Sequence, residues 1–323
     1  MFDDVITRDD DAAGWPARRA RIRERILASM GAPSCPLPGA ILCRTTGRLA
    51  EYGLQREDIV FDVLPGLACH GHIYHGGGTS LPGAVCIHGT NRDLACKAVA
   101  APELKPDLAY AVELARLGFL AITVDQFGFG RWCGEDGEEA LYRRFFAVHP
   151  EWSLDGIRLH VQRCAVDVLR AHPLADPARI VCIGNSLGGR SALHLAAFDE
   201  RIRAAAVSTG VSPNLTNAYR NTATDPCQAL SPRLNAAMSV DGRPPWEYPE
   251  LLALVAPRTL LLIEPFNDPY NPFIEATTAC FLAARRVYEL LGAPQHLSLL
   301  CHGNGHGTIG MLRDHAYAVL RTA

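Results

Sequence analysis

A chain of 323 residues, 48% hydrophobic and 20% charged, has apolar material for a large buried core, which excludes an intrinsically disordered segment. A formal net charge of -3 sets up no field that would draw the chain to nucleic acid or to an anionic membrane, so neither is expected as a partner. Eleven cysteines are odd in number and scattered; with Cys86, Cys182 and Cys301 in or beside apolar runs, they read as reduced, buried thiols rather than a disulfide framework.

The first residues, Met1 to Asp11, are acidic, and no apolar stretch of leader or membrane-span length follows them, so a cytoplasmic protein is expected. Residues 15 to 30 have a helical pattern, and the basic run from Arg18 to Arg25 is its solvated surface. Asp58 to Val63 and Leu67 to Tyr74 read as an antiparallel pair at the side of a larger sheet.

From Gly83 onward, short β-branched runs alternate with helical patterns, the signature of βαβ units and a mostly parallel sheet. Ala84 to Ile87 is the first such strand. A helix follows from Pro106-Asp107 to Gly118, with Leu108, Val112 and Ala115 at helical spacing. Phe119 to Val124 is the second strand, and it runs into a glycine-bearing loop, Asp125-Gln126-Phe127-Gly128-Phe129-Gly130. Ile157, Val161, Cys164, Ala165, Val168 and Leu169 form the apolar face of the next helix. The strand Ile180 to Ile183 then meets Gly184-Asn185-Ser186-Leu187-Gly188-Gly189, directly ahead of a helix through Ala192, Leu193 and Ala196.

Later strands are Ala204 to Val207, Thr259 to Ile263 and Leu297 to Leu300, with helices at Ile274 to Leu291 and Ile309 to Leu320. Residues 211 to 250 are too long for an ordinary connection and are rich in Pro, Asn, Thr, Arg and aromatics. They are expected to form a cap over the site. The whole, residues 1–323, is expected to be one domain, with residues 1–50 as an N-terminal helical extension.

Gly184-Asn185-Ser186-Leu187-Gly188 fits G-x-S-x-G, and its position between an apolar strand and a helix is the context that this motif requires. The glycines allow a sharp turn that points the serine off the sheet. A serine hydroxyl is a weak nucleophile at neutral pH and needs a base, itself oriented by a carboxylate. The candidates come later and at strand ends, in the order this chemistry uses on such sheets: Glu264 and Asp268 after one strand, His302 and His306 after the next. Asp268 is preferred because Asn267-Asp268-Pro269 is a turn that can swing a short carboxylate over the sheet edge. His306 is preferred because Gly305-His306-Gly307 can aim an imidazole, whereas His302 reads as a strand-end histidine.

Leu187 would give one backbone N–H to an oxyanion hole. His88-Gly89-Thr90-Asn91 would give the other, from Gly89 or Thr90 foremost, with Asn91 also open. Asn185, Trp132, Trp152, Tyr219 and Trp246 are candidates for the substrate pocket, the bland alternative being that the aromatics staple the insertion to the core. Cys69, His70, His72 and His75 look metal-like, but no carboxylate completes the set. They are read as a solvated strand face, and no metal or cofactor is expected.

These residues resemble the dienelactone hydrolase-like and acetyl xylan esterase-like branch of the α/β-hydrolase superfamily. The resemblance is carried by Cys86-Ile87-His88-Gly89-Thr90, Val124 to Gly130, Gly184 to Gly189, Ala197 to Ile202 and Gly305-His306-Gly307. It implies the α/β-hydrolase fold, with Ser186, Asp268 and His306 as the triad. A serine stands where dienelactone hydrolases use cysteine, which implies esterase chemistry. Asn185 stands where relatives often have histidine. The expected activity is hydrolysis of a small-molecule ester through an acyl-enzyme on Ser186. The alternatives are acyl transfer or cyclisation with the same triad, and an inactive hydrolase fold used for binding; the sequence leaves a homo-oligomer open.

Overall fold

The computed structural model describes residue 5, residues 11–31, 41–217 and 244–323. Among them is a nine-stranded sheet with strands in the order β1-β2-β3-β5-β4-β6-β7-β8-β9. β1 (Cys43–Glu51), β2 (Leu54–Leu64) and β3 (Leu67–His75) form an antiparallel run at one side. β3 pairs antiparallel with β5 (Leu120–Val124). From there β4 (Leu81–Ile87), β6 (Ala175–Asn185), β7 (Ile202–Ser208), β8 (Thr259–Pro265) and β9 (Leu297–His302) are all parallel.

The parallel strands are apolar on both faces because both are covered, as such sheets require. Val85, Ile87, Ile122, Cys182, Ala205, Val207, Leu260 and Leu262 point to one core. That core is closed by α1 (Trp15–Met30), α3 (Gly137–Val148), α4 (Leu154–Ala171), α5 (Leu187–Phe198), α6 (Tyr248–Ala253) and α7 (Ile274–Leu290). The residues between them, including Ala84, Cys86, Ala121, Val181, Ile183, Ala204, Ala206 and Leu261, point to the other core. There they meet α2 (Tyr110–Arg116) and α8 (Gly310–Arg321). No helix among the described residues is long and apolar enough to cross a membrane.

This order creates the crevice that the site occupies. The chain passes from β4 to β5 on one side and then to β6 on the other, so the connections after β4 and β6 part company at the carboxyl edge of the sheet. The register brings those two strands out level, since Ile87 pairs with Gly184. His88-Gly89 and Asn185-Ser186 therefore emerge side by side.

Several expectations are corrected. β1 was not foreseen, because its residues are nearly all partly or fully exposed and carry no apolar alternation. The helix expected from Pro106 is a short 3₁₀ turn, Pro106–Leu108, followed by α2 from Tyr110. Beyond the glycine-bearing loop at Asp125 to Gly130 lies α3, which was not foreseen and whose Leu141, Tyr142 and Phe145 are buried. The Phe127 ring stands 4.7 Å from that of Phe145. Of the expected cap, residues 218–243 lie outside the described residues, and its two ends are tied together. Asn214 Nδ2 donates to the Trp246 carbonyl at 3.0 Å and the Leu215 N–H to Glu247 Oε1 at 2.6 Å. Glu247 and Glu250 then form a capping box that starts α6. Cys86 and Cys182 are buried as expected, whereas Cys301 is exposed; every described cysteine is free.

The cluster around Cys69 is not a solvated face. His72 is buried with its Nδ1 2.7 Å from Asp58, and His75 is buried with its Nε2 3.6 Å from Glu57. Glu57 also lies 3.5 Å from His172 Nε2. Burial holds the His72 and His172 imidazoles below the usual histidine range, against the pull of these carboxylates.

Candidate active site

Ser186 sits between β6 and α5 with φ of 60° and ψ of -125°. A non-glycine residue in this region is strained, by roughly 1–3 kcal/mol, and persists only where its surroundings enforce it. The enforcement is visible at the flanking glycines. A Cβ on Gly184 would come within 2.2 Å of the Gly188 carbonyl oxygen, and one on Gly188 within 2.2 Å of that of Ile87. Both positions thus need glycine for close backbone approach, the requirement that the motif expresses. The elbow helix is itself anchored. Arg190 forks onto the buried Asp155 of α4, with Nη2 at 2.7 Å and Nε at 3.3 Å, and its Nη1 donates to the Tyr248 hydroxyl at 2.7 Å. Burial pushes Asp155 up, but Arg190 outweighs it and holds the carboxyl below its ordinary value.

The first helical bond of α5 runs from the Arg190 N–H to the Ser186 carbonyl at 2.9 Å, so the Leu187 N–H has no acceptor within the helix. Gly89 lies against the elbow: a Cβ there would meet the Asn185 carbonyl at 3.0 Å and Ser186 Cβ at 3.4 Å. Gly89 is partly buried and Thr90 is exposed. Asn91 caps the turn that follows, its Oδ1 accepting from the Leu94 N–H at 2.9 Å.

The loop that carries Gly89 is pinned by a buried polar chain that the sequence reading missed. His88 Nδ1 donates to the Gly89 carbonyl at 2.7 Å, and its Nε2 accepts from the Gln126 N–H at 3.0 Å. Gln126 in turn donates from its amide to the His88 carbonyl and accepts from the Ser191 hydroxyl at 2.7 Å. Burial, with Arg158 nearby, outweighs the Gly89 carbonyl and Asp125 and pushes the His88 imidazole down to about 4. His88 is therefore neutral, with a fixed tautomer, and serves to hold Gly89. Its position at the end of an apolar strand was the available signal.

Asp268 and His306 are brought together: Asp268 Oδ2 is 2.8 Å from His306 Nδ1. Asp268 is 3% exposed, and its Oδ1 accepts from the Tyr270 N–H at 2.8 Å. Burial raises this carboxyl, but His306 and the Tyr270 amide win and hold it below its usual value. Glu264 behaves oppositely. It is fully buried, and its Oε1 accepts from the Gly210 and Val211 N–H groups, each at 3.1 Å. Burial, only partly offset by those amides, and the Asp268 charge push it well above the carboxylate range. His302 ends β9 with its Nδ1 accepting from the Asn304 N–H at 3.2 Å; burial lowers it, against the nearby Asp268.

Three further groups were missed. Asn267 clamps the histidine loop, its Nδ2 donating to the Gly303 carbonyl at 2.8 Å and its Oδ1 accepting from the Gly305 N–H at 2.9 Å. Thr209, at φ of 48°, accepts on Oγ1 from the Ser186 N–H at 2.8 Å and from Asn185 Nδ2 at 2.9 Å. Ser208 receives the Asn185 amide at 3.1 Å and the Thr308 hydroxyl. All are small polar residues just past a strand end or beside a candidate triad member, which is the signal that could have found them.

The expected pocket is largely corrected. Asn185 is buried and turned to Ser208 and Thr209. Trp152 is buried against Phe145 and His160, and Trp246 against His194 and Tyr248, so both are core aromatics. Trp132 is half-buried on Phe127, its indole N–H donating to the Asp125 carbonyl at 2.7 Å. Tyr219 lies outside the described residues. Among the described residues, Tyr270 meets the site: it is 56% exposed, with its ring centre 4.7 Å from that of His306.

Comparison with known proteins agrees with this architecture. A family model described as glucuronyl esterase, fungi, matches residues 160–292. YtaP of Bacillus subtilis, provisionally classed as a hydrolase, is 24% identical over 214 residues, covering 66% of this chain and 68% of its own length. A glucuronoyl esterase from Solibacter usitatus superposes with a TM-score of 0.78 at 14% identity, over 99% of this chain and 97% of that one. A Bacteroides fragilis protein provisionally titled an acetyl xylan esterase gives 0.68 at 18% identity, over 93% and 78%. The strand order, the elbow at Ser186 and these likenesses together show the α/β-hydrolase fold.

Proposed function

We propose that the protein is a serine carboxylic ester hydrolase in which Ser186 is the nucleophile, His306 the base and Asp268 the orienting carboxylate. The observation that carries this reading is the 2.8 Å hydrogen bond between Asp268 and His306 Nδ1. It commits the imidazole to presenting Nε2 as the acceptor, as a general base must.

In the first half-reaction His306 Nε2 takes the Ser186 proton and Oγ attacks the acyl carbon. The N–H groups of Leu187 and of Gly89 or Thr90 receive the oxyanion. The tetrahedral intermediate collapses as His306 returns the proton to the departing alcohol. Water, deprotonated by the same imidazole, then releases the acid from Ser186. Because His306 delivers the proton, groups packed on its ring border the alcohol side of the ester, and Tyr270 is the aromatic so placed. The substrate is read as a small-molecule ester, and the likeness to proteins named for glucuronoyl and acetyl xylan esters supports a carbohydrate-borne one among the candidates.

A panel of p-nitrophenyl esters of increasing acyl length, assayed with and without amine acceptors, tests the proposal. Hydrolysis that disappears in Ser186→Ala is expected. Product that appears only when an acceptor is present would instead mean acyl transfer. No turnover on any ester, with or without acceptor, would contradict the reading.

A further inference from the structure

Ser186 and His306 leave the sheet from strands that are not neighbours. In the order β6-β7-β8-β9 the nucleophile's strand and the histidine's strand are three spacings apart, about 14 Å at the usual inter-strand distance. The imidazole can reach the serine only if the loop after β9 doubles back over the ends of β8 and β7. Something must hold it there.

Over β8, the Asn267 amide and the Asp268 carboxylate hold the loop at Gly303, Gly305 and His306. Over β7, the contact is Thr308, two residues beyond His306. Its hydroxyl, 1% exposed, donates to the hydroxyl oxygen of Ser208, the last residue of β7. That same oxygen accepts from Asn185 Nδ2, and the adjoining Ser208 carbonyl accepts from the Ser186 N–H at 2.9 Å. Ser208 is thus bonded on one side to the elbow and on the other to the histidine loop. The linkage is buried throughout, with Asn185, Ser208 and Thr209 all under 10% exposed, so water does not compete for these bonds.

We infer that Thr308 and Ser208 are positioning residues that set the approach of the His306 imidazole to Ser186 by fastening the histidine loop to the tip of β7. The inference rests on the esterase reading above. Neither residue touches the reacting atoms; their effect passes through the placement of His306.

The test compares Thr308→Val, which keeps the shape and removes the hydroxyl, with Thr308→Ser, which restores it. The kcat and KM for p-nitrophenyl acetate and the rate at which a fluorophosphonate labels Ser186 are measured well below each variant's melting temperature. A displacement on the order of 1 Å in a reacting pair can cost about 100-fold. Thr308→Val should therefore lower both kcat and the labelling rate by about 10- to 100-fold with KM nearly unchanged, and Thr308→Ser should recover most of the loss. A residue that served stability alone would lower the melting temperature and leave kcat and labelling of the folded protein intact, which would overturn the inference. A loss that serine does not rescue would overturn it equally, because the hydroxyl would not be the cause. If Thr308→Val does not fold, Ser208→Ala removes the acceptor from the other side, and its kcat and labelling rate decide by the same criteria. A wild-type protein that takes up no fluorophosphonate at all would contradict the esterase reading itself, a result distinct from normal labelling in the variants.

Discussion

Glu264 and Asp268 stand four residues apart on one sheet edge and are pushed in opposite directions: burial and the charge on Asp268 raise the Glu264 carboxyl well above its ordinary value, while, against burial, His306 and the Tyr270 amide hold Asp268 below its own. Glu264 accepts from the Gly210 and Val211 N–H groups, whereas Asp268 is the partner of His306. Which carboxyl orients the base therefore has a direct consequence in mutants. Asp268→Asn should lower kcat by about 10⁴-fold, the size of the equivalent change in a serine protease, because the imidazole is left in the wrong tautomer. Glu264→Gln keeps the shape and the acceptor and should cost less than about tenfold, while Glu264→Ala leaves two buried N–H groups unpaired and should also cost stability. Steady-state kinetics and thermal melts on the three variants check the ranking; its reversal would move the orienting role to Glu264.

Asn267→Ala should lower kcat by about tenfold through looser placement of His306. The side chain is exposed, so stability should change by no more than about 1 kcal/mol. Unaltered kcat would show that the loop is held in place without the Asn267 side chain.

Two buried histidines make stability depend on pH. Burial pushes both His88 and His194 down to about 4 from the ordinary 6.5. Between those values the unfolded chain binds protons that the native protein does not, so stability falls as pH drops from 6.5 towards 4 and is flat in these two groups above 6.5. Each contributes on the order of 3 kcal/mol over the full window. Urea unfolding at pH 7.5, 6 and 5 should show the fall, and His194→Phe should make it shallower. An identical pH dependence in that variant would exclude His194 as a source.

Where periodicity was strong, the sequence was legible. The parallel strands from β4 to β9 and the helices α1, α4, α5 and α7 lie where their apolar patterns put them, because a sheet covered on both faces needs unbroken apolar runs. The strand, elbow and helix around Ser186 could be read because glycine is the only residue that fits the backbone contacts at Gly184 and Gly188. β1 and α3 were not legible, since an exposed edge strand has no alternation and α3 is a short helix that starts directly after a glycine-bearing loop, at Gly137. The aromatics misled for a related reason: Trp152 and Trp246 look the same in sequence whether they wall a pocket or fill a core. The hydroxyl network of Ser208, Thr209 and Thr308 was hidden because it joins residues up to a hundred positions apart, and no local pattern reports such a contact.

The most direct test of the account is intact-protein mass spectrometry after reaction with a fluorophosphonate, which reports whether Ser186 is an activated nucleophile without knowledge of the natural ester. The account predicts a single adduct, mapped to Ser186 by peptide analysis, formed equally in EDTA and absent from Ser186→Ala. No adduct on folded wild-type protein, or an adduct that persists in Ser186→Ala, would contradict it.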